Sequence, residues 1–147
     1  MSLETDTATI ESLVHAVYDG ISGKHPNWDR LTPLFHPDAR FIPPARDHTP
    51  VTAITFGQYR ERSEKNLGSL PPDQGFYERG IAHKIETFGS IAHIWSTYEA
   101  RRKPEDAQPF IRGINSFQFV RQNDRWWVLT IFWDSERPDN PIPAHYL

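Results

Sequence analysis

The stretch that decides the fold is Phe110-Ile111-Arg112-Gly113-Ile114-Asn115-Ser116-Phe117-Gln118-Phe119-Val120-Arg121, followed after Gln122-Asn123-Asp124 by Arg125-Trp126-Trp127-Val128-Leu129-Thr130-Ile131-Phe132-Trp133-Asp134. Two runs rich in aromatic and β-branched residues flank three turn formers, which predicts a hairpin of two long antiparallel strands. Upstream, 76–88 and 91–102 read the same way around Gly89-Ser90, and 103–109 links them to the decisive pair. The second half of the chain is therefore expected to be a four-stranded antiparallel meander over 76–88, 91–102, 110–121 and 125–136.

These strands are apolar on both sides. In the last one, Trp127, Leu129, Ile131 and Trp133 share one parity and Trp126, Val128 and Phe132 the other. A sheet wetted on one side alternates apolar with polar residues, so both faces here call for a cover. Helices supply one. A second copy of the same sheet is the simplest other, which predicts a homodimer through the outer sheet face.

The first half is helical. Ile10, Leu13, Val14, Val17, Tyr18 and Ile21 recur at spacings of three and four and so line one helix face, with Gly20 and Gly23 at the exit. A short second helix over 27–34 turns Trp28, Leu31 and Leu34 inward. His36-Pro37-Asp38 then breaks the pattern, and Arg40-Phe41-Ile42 is a brief strand before Pro43-Pro44. Thr55 and Gln58 form a capping-box pair for a third helix, with Ile54 poised to staple onto Tyr59, and Gly68 and Pro71-Pro72 end it near Leu67. Helices first and strands after means α+β, with the helices packed on one sheet face.

The chain has 147 residues, 16 Lys or Arg against 19 Asp or Glu, and no Cys, which excludes disulfides and thiolate chemistry. One domain spanning 1–147 is the expectation at this length. No apolar run approaches the roughly 20 residues of a membrane span. Met1-Ser2-Leu3-Glu4 lacks a secretory layout, so the expected setting is cytoplasmic. The net charge of −3 argues against nucleic acid as a partner. The segment 135–147, with Pro138, Pro141 and Pro143, cannot join the sheet regularly and reads as an extended C-terminal arm, lying along a partner subunit or across a pocket mouth.

The order of helix, short helix with "WDRLTPLFHPDARF", capped helix and four strands ending "RWWVLTIFWD" resembles the nuclear transport factor 2-like superfamily over about residues 10–134. The likeness is to its SnoaL-like, ketosteroid isomerase-like and scytalone dehydratase-like branches. It implies a cystatin-like cone, in which a curved, mostly antiparallel sheet wraps the helices and encloses an apolar pocket. Members include enzymes and non-catalytic proteins, so the resemblance leaves activity open.

If the odd parity of the strands faces the helices, the pocket receives His93, Trp95 and Thr97, then Gly113 and Asn115, then Leu129 and Trp133, with Tyr18 entering from the first helix. Trp28 and Tyr59 complete the expected ligand-binding set. The resemblance implies that Tyr18 is similar to the oxyanion-binding tyrosine of ketosteroid isomerases and Asn115 to their protonated acid. Their basic aspartate corresponds to Pro43, which removes the isomerase base. By likeness to scytalone dehydratases, His93 and Asn115 match one catalytic histidine and the active-site asparagine, while the second histidine falls near Tyr77.

The catalytic set expected on this basis is His93 as acid–base, with Tyr18 and Asn115 as donors to a carbonyl or oxyanion, and neither metal nor organic cofactor is required. Each residue also has a plain structural reading: His93 as a hydrogen-bonded core histidine, Asn115 as a partner for a buried backbone group, and Tyr18 as core. His36, Asp38 and His48 do not align on any regular element, and His83 facing His93 across a hairpin would lack a third ligand, so no metal site is expected. Two functions stay open: a lyase or isomerase acting on an apolar, polyketide-like or aromatic carbonyl compound, and a non-catalytic dimeric module that binds a hydrophobic ligand or stabilises a partner.

Overall fold

The computed structural model of the chain describes residues 2–45 and 49–147. A one-turn helix, α1 (Leu3–Asp6), leads into α2 (Ile10–Ile21). Helix α2 starts where the Thr9 hydroxyl accepts the Ser12 N–H at 3.0 Å and the Ser12 hydroxyl accepts the Thr9 N–H at 3.2 Å. That reciprocal cap satisfies two otherwise orphaned donors. Its buried stripe holds Ile10, Leu13, Val14, Val17 and Tyr18, as the spacing predicts. Helix α3 (Trp28–Leu31) is tied back by Arg30, whose guanidinium donates to both oxygens of Asp6 at 3.0 and 3.1 Å. Asp6 is 2% exposed, and that fork supplies hydrogen bonds to both of its buried oxygens.

Strand β1 (Phe35–Ile42) begins earlier than the brief 40–42 strand expected, and runs parallel to the last strand with an irregular stretch between Phe35 and Arg40. Pro37, which has no N–H to give a ladder, is tolerated there because β1 is an edge strand. Helix α4 (Phe56–Gly68) carries the predicted capping box, with Thr55 and Gln58 exchanging bonds at 2.9 and 3.2 Å. Ile54 exchanges two backbone bonds of 2.8 Å with Phe41, and Tyr59 stacks on the Phe41 ring at 4.1 Å, so the helix entry is anchored through β1. No residue of α4 is buried. Only partly buried, Phe56 and Tyr59 pack its first turns against Phe35 and Phe41.

The meander follows as β2 (Tyr77–Phe88), β3 (Ile91–Arg101), β4 (Ile111–Gln122) and β5 (Arg125–Ser135), each bound within one residue of the sequence expectation. Asn123 and Asp124 close the β4–β5 hairpin at φ of 54° and 60°, the left-handed pair whose twist suits antiparallel strands. The sheet order is β1-β5-β4-β3-β2, antiparallel except for β1 beside β5.

Side-chain direction departs from the expected single odd parity. In β3 the even residues Ala92, Ile94, Ser96, Tyr98 and Ala100 are buried toward the helices, and His93, Trp95 and Thr97 lie on the outer face. Both parities of this strand are apolar, so the side is chosen by the cross-strand partners: Ile94 stands opposite Phe117 and Ser96 opposite Asn115. In β5 the register shifts between the partners of Gln118 and Phe119, leaving Leu129 as an extra residue. Trp126 and Val128 therefore face inward before the bulge and Ile131 and Trp133 after it. A matching shift between Gly80 and Ala82 bulges β2 at Ile81.

The C-terminal arm does not lie across the pocket. It folds back over the outer face of its own sheet: the Thr97 hydroxyl donates to the Tyr146 carbonyl, and the Tyr146 ring sits 5.7 Å from Trp95. Beyond it the outer face is bare, with Phe88 84% and Ile91 58% exposed. Among the described residues no helix is long and apolar enough to cross a membrane.

Candidate functional site

A cavity of about 580 Å³ opens between α2, α4 and the inner face of the sheet. Helix α4 packs on the core at its N-terminal end, through Phe56 and Tyr59, and from there Tyr59, Ser63, Asn66 and Leu67 form a roof held above the strands by the Phe41 anchor. Phe117, Ile131, Trp133 and Pro43 line the sides.

Its polar centre comes from three elements. Tyr18 reaches in from the apolar stripe of α2, and its hydroxyl shares a 2.5 Å hydrogen bond with Ser96 of β3. Asn115 of β4, opposite Ser96 in the ladder, donates its amide to the Tyr18 oxygen at 3.1 Å and to Glu78 Oε1 at 3.4 Å. Glu78 of β2 is fixed through its backbone, because the hydroxyl of Ser22 at the end of α2 accepts its N–H at 3.0 Å and donates to its carbonyl at 2.8 Å.

Burial pushes the Glu78 carboxyl up to about 7, against the Asn115 hydrogen bond, which favours the ionised form. Burial, and then the nearby Glu78 charge, raise the Tyr18 hydroxyl far above the usual phenol range, so it stays protonated. Burial likewise raises Tyr59. The site therefore offers a neutral phenol, an amide and a carboxyl pushed up toward neutral pH.

Tyr18 and Glu78 also line a second, more polar cleft of about 690 Å³ with Glu11, His15 and His83. The Ile81 bulge turns His83 to this side opposite Ser96, and its ring lies 6.4 Å from Tyr18. Burial holds His83 below the usual imidazole range, with Glu11 opposing.

Of the residues expected in the pocket, Tyr18, Asn115, Tyr59 and Trp133 line the cavity together. His93 does not: it is opposite Glu86 on the outer face, its ring 6.1 Å from Trp95. His83 and His93 consequently point to opposite sides of the sheet. Trp95 and Thr97 are outer-face residues under the arm. Gly113 is packed shut, since a Cβ there would lie 2.3 Å from the Asp134 carbonyl oxygen. Leu129 occupies the bulge, and Trp28 packs edge-on against Phe56 and Tyr59 rather than on the cavity. His36 and Asp38 lie in β1, the imidazole accepting the Asp38 N–H at 3.1 Å, and His48 is outside the described residues. Among the described residues no group of three His, Asp or Glu is arranged to hold a metal.

Glu78 was not legible as a site residue. Between Tyr77 and Arg79 at a strand start it has the local look of a solvated charge. The one available signal was its neighbour: Tyr77 is where the scytalone dehydratase likeness expects a catalytic group, and the next residue, of opposite parity, points inward.

No known family profile matches the sequence, and no curated protein does. Solved structures do match in shape. An NTF2-like protein of unknown function from Pseudomonas putida aligns with a TM-score of 0.68 at 10% identity, covering 91% of this chain and 90% of that one. An uncharacterised protein with a cystatin-like fold from Caulobacter vibrioides gives 0.65 at 15% identity over 88% and 89%. A candidate ketosteroid isomerase from Parabacteroides distasonis gives 0.59 at 14% identity over 93% and 95%. With helices packed on one face of a mostly antiparallel sheet and a cavity between them, the chain has the NTF2-like, cystatin-like α+β fold.

Proposed function

We propose that the cavity binds a small apolar carbonyl compound and moves a proton on it without a cofactor. Tyr18 and Asn115 hold the carbonyl oxygen, and Glu78 is the acid–base. The observation that carries this reading is the Asn115 amide, within hydrogen-bond reach of both the Tyr18 hydroxyl and the Glu78 carboxyl inside an aromatic-walled cavity. A carboxyl that titrates near 7 can take a proton from a carbon beside the carbonyl and return it elsewhere, the step common to double-bond isomerisation and to elimination of water. Donors aimed at the developing oxyanion in a site screened from water contribute on the order of 10²–10³-fold each. Pro43 lines the same cavity, so the missing aspartate of the ketosteroid isomerase likeness is replaced in this reading by a carboxyl on another strand. His93, on the far face of the sheet, takes no part.

The test is deuterium exchange at the α-carbon of α-tetralone in heavy water, followed by proton NMR. The protein is expected to accelerate exchange and E78Q to lose at least about 100-fold of the acceleration. Exchange no faster than in buffer overturns the reading.

We also propose that a second copy covers the outer face. Phe88, Ile91 and Phe132 form exposed apolar surface beside the arm, and single-chain packing leaves them in water. This pairing suits equally a catalytic dimer and a ligand-binding module.

A further inference from the structure

The cavity wall carries two guanidinium groups that proton transfer leaves unused. Arg62 comes from α4, and Arg102 follows the end of β3. Elsewhere Arg30, Arg60, Arg79, Arg101, Arg112 and Arg137 each pair with a carboxylate. Among the described residues Arg40, Arg121 and Arg125 have no carboxylate partner but do not line the cavity, and Arg62 and Arg102, which do, pair with none. Nor is Arg102 adrift: its guanidinium lies 4.0 Å above the Phe110 ring, and one of its nitrogens donates to the Gly75 carbonyl at 3.4 Å. Stacking on a ring face holds the plane and leaves the N–H edge free for a planar acceptor. Glu78 is the one carboxyl among the described lining residues, and it already engages Asn115.

Resting on the carbonyl-compound reading above, we infer that the cavity selects an apolar keto acid: its carboxylate is held by Arg62 and Arg102, and its carbonyl is directed to Tyr18 and Asn115. Two unpaired cations against one carboxyl favour an anion over a neutral ligand of the same shape. The aromatic walls take the apolar body between the two polar ends. Charge-assisted bonds of this kind are worth on the order of tenfold or more in affinity.

The test compares β-benzoylpropionate with its neutral primary amide by isothermal titration calorimetry at pH 8. The acid is expected to bind at least tenfold tighter than the amide. R62Q reduces that preference, and R62Q/R102Q abolishes it; R102K keeps the charge without the fork and falls between. Equal affinities, or a preference that survives in R62Q/R102Q, overturn the inference. Binding of the amide alone overturns it while leaving the carbonyl reading standing. Binding of neither overturns both for ligands of this size, and deuterium exchange on the uncharged α-tetralone tests the first reading separately.

Discussion

Ser96 and Asn115 stand opposite each other across the β3–β4 ladder, and together they grip the hydroxyl of Tyr18, at 2.5 and 3.1 Å. A phenol held by a cross-strand pair is aimed by the sheet register rather than by its own helix. Y18F removes the oxygen, leaving the Ser96 hydroxyl unpaired and Asn115 with Glu78 as its remaining partner, which is expected to cost about 1–3 kcal/mol in urea denaturation. It also removes one oxyanion donor, so α-tetralone exchange is expected to fall by roughly 10²-fold. Unchanged exchange in a folded Y18F excludes the donor role.

The carboxyl beside this pair gives the stability a pH signature. Glu78 is raised from 4.5 to about 7, so the folded state holds its proton more tightly than the unfolded chain does. Below about pH 4 both states are protonated and nothing is lost. Stability falls as pH rises through the window between the two values, and above it the full cost of burying the charge, on the order of 3 kcal/mol, remains. E78Q, which carries no charge, is therefore expected to be more stable than the wild type by about that amount at pH 8 and equal to it at pH 4. Denaturant midpoints across the range check this, and a pH-independent difference contradicts it.

His93 supplies the opposite control. Because it lies on the outer face against Trp95, H93A is expected to leave deuterium exchange within about twofold of wild type. A large loss would mean that the inner and outer faces are assigned the wrong way round.

Gly113 is a close-packing position and not a ligand contact. A Cβ there meets the Asp134 carbonyl oxygen at 2.3 Å and the Tyr98 hydroxyl at 2.6 Å. The first is backbone and cannot rotate away. G113A is expected to cost about 1–3 kcal/mol or more by overpacking, read as a lower Tm.

On the outer face, light scattering is expected to give a mass about twice the 17.1 kDa of one chain. I91K, which adds a charge to a residue 58% exposed in the single chain, is expected to return it to a monomer without unfolding it. A wild-type monomer at micromolar concentration rules out the pairing.

The elements could be read from the residues with little loss, and the particulars show why. The Thr55–Gln58 cap and the Asn123-Asp124 turn are local devices, written within four residues of the structure they cause. Half of the site was legible for a similar reason: Tyr18 belongs to a 3.6-residue stripe that must face the core, and Asn115 shares a parity with Phe117 and Phe119. Glu78, His93 and Thr97 were not legible, because nothing local distinguishes the two sides of β2 and β3.

By itself, then, the sequence determined where the two long helices and the four meander strands begin and end, the helices-then-sheet order, and an apolar stripe that carries Tyr18 inward. Tertiary structure alone decided which side of each strand looks into the cavity. Strands that are apolar on both faces can sit either way up, and a single extra residue, at Ile81 or Leu129, reverses every side chain beyond it. The choice was made by long-range partners: Ile94 opposite Phe117, Ser96 opposite Asn115, and Tyr18 lodged between that pair and Glu78.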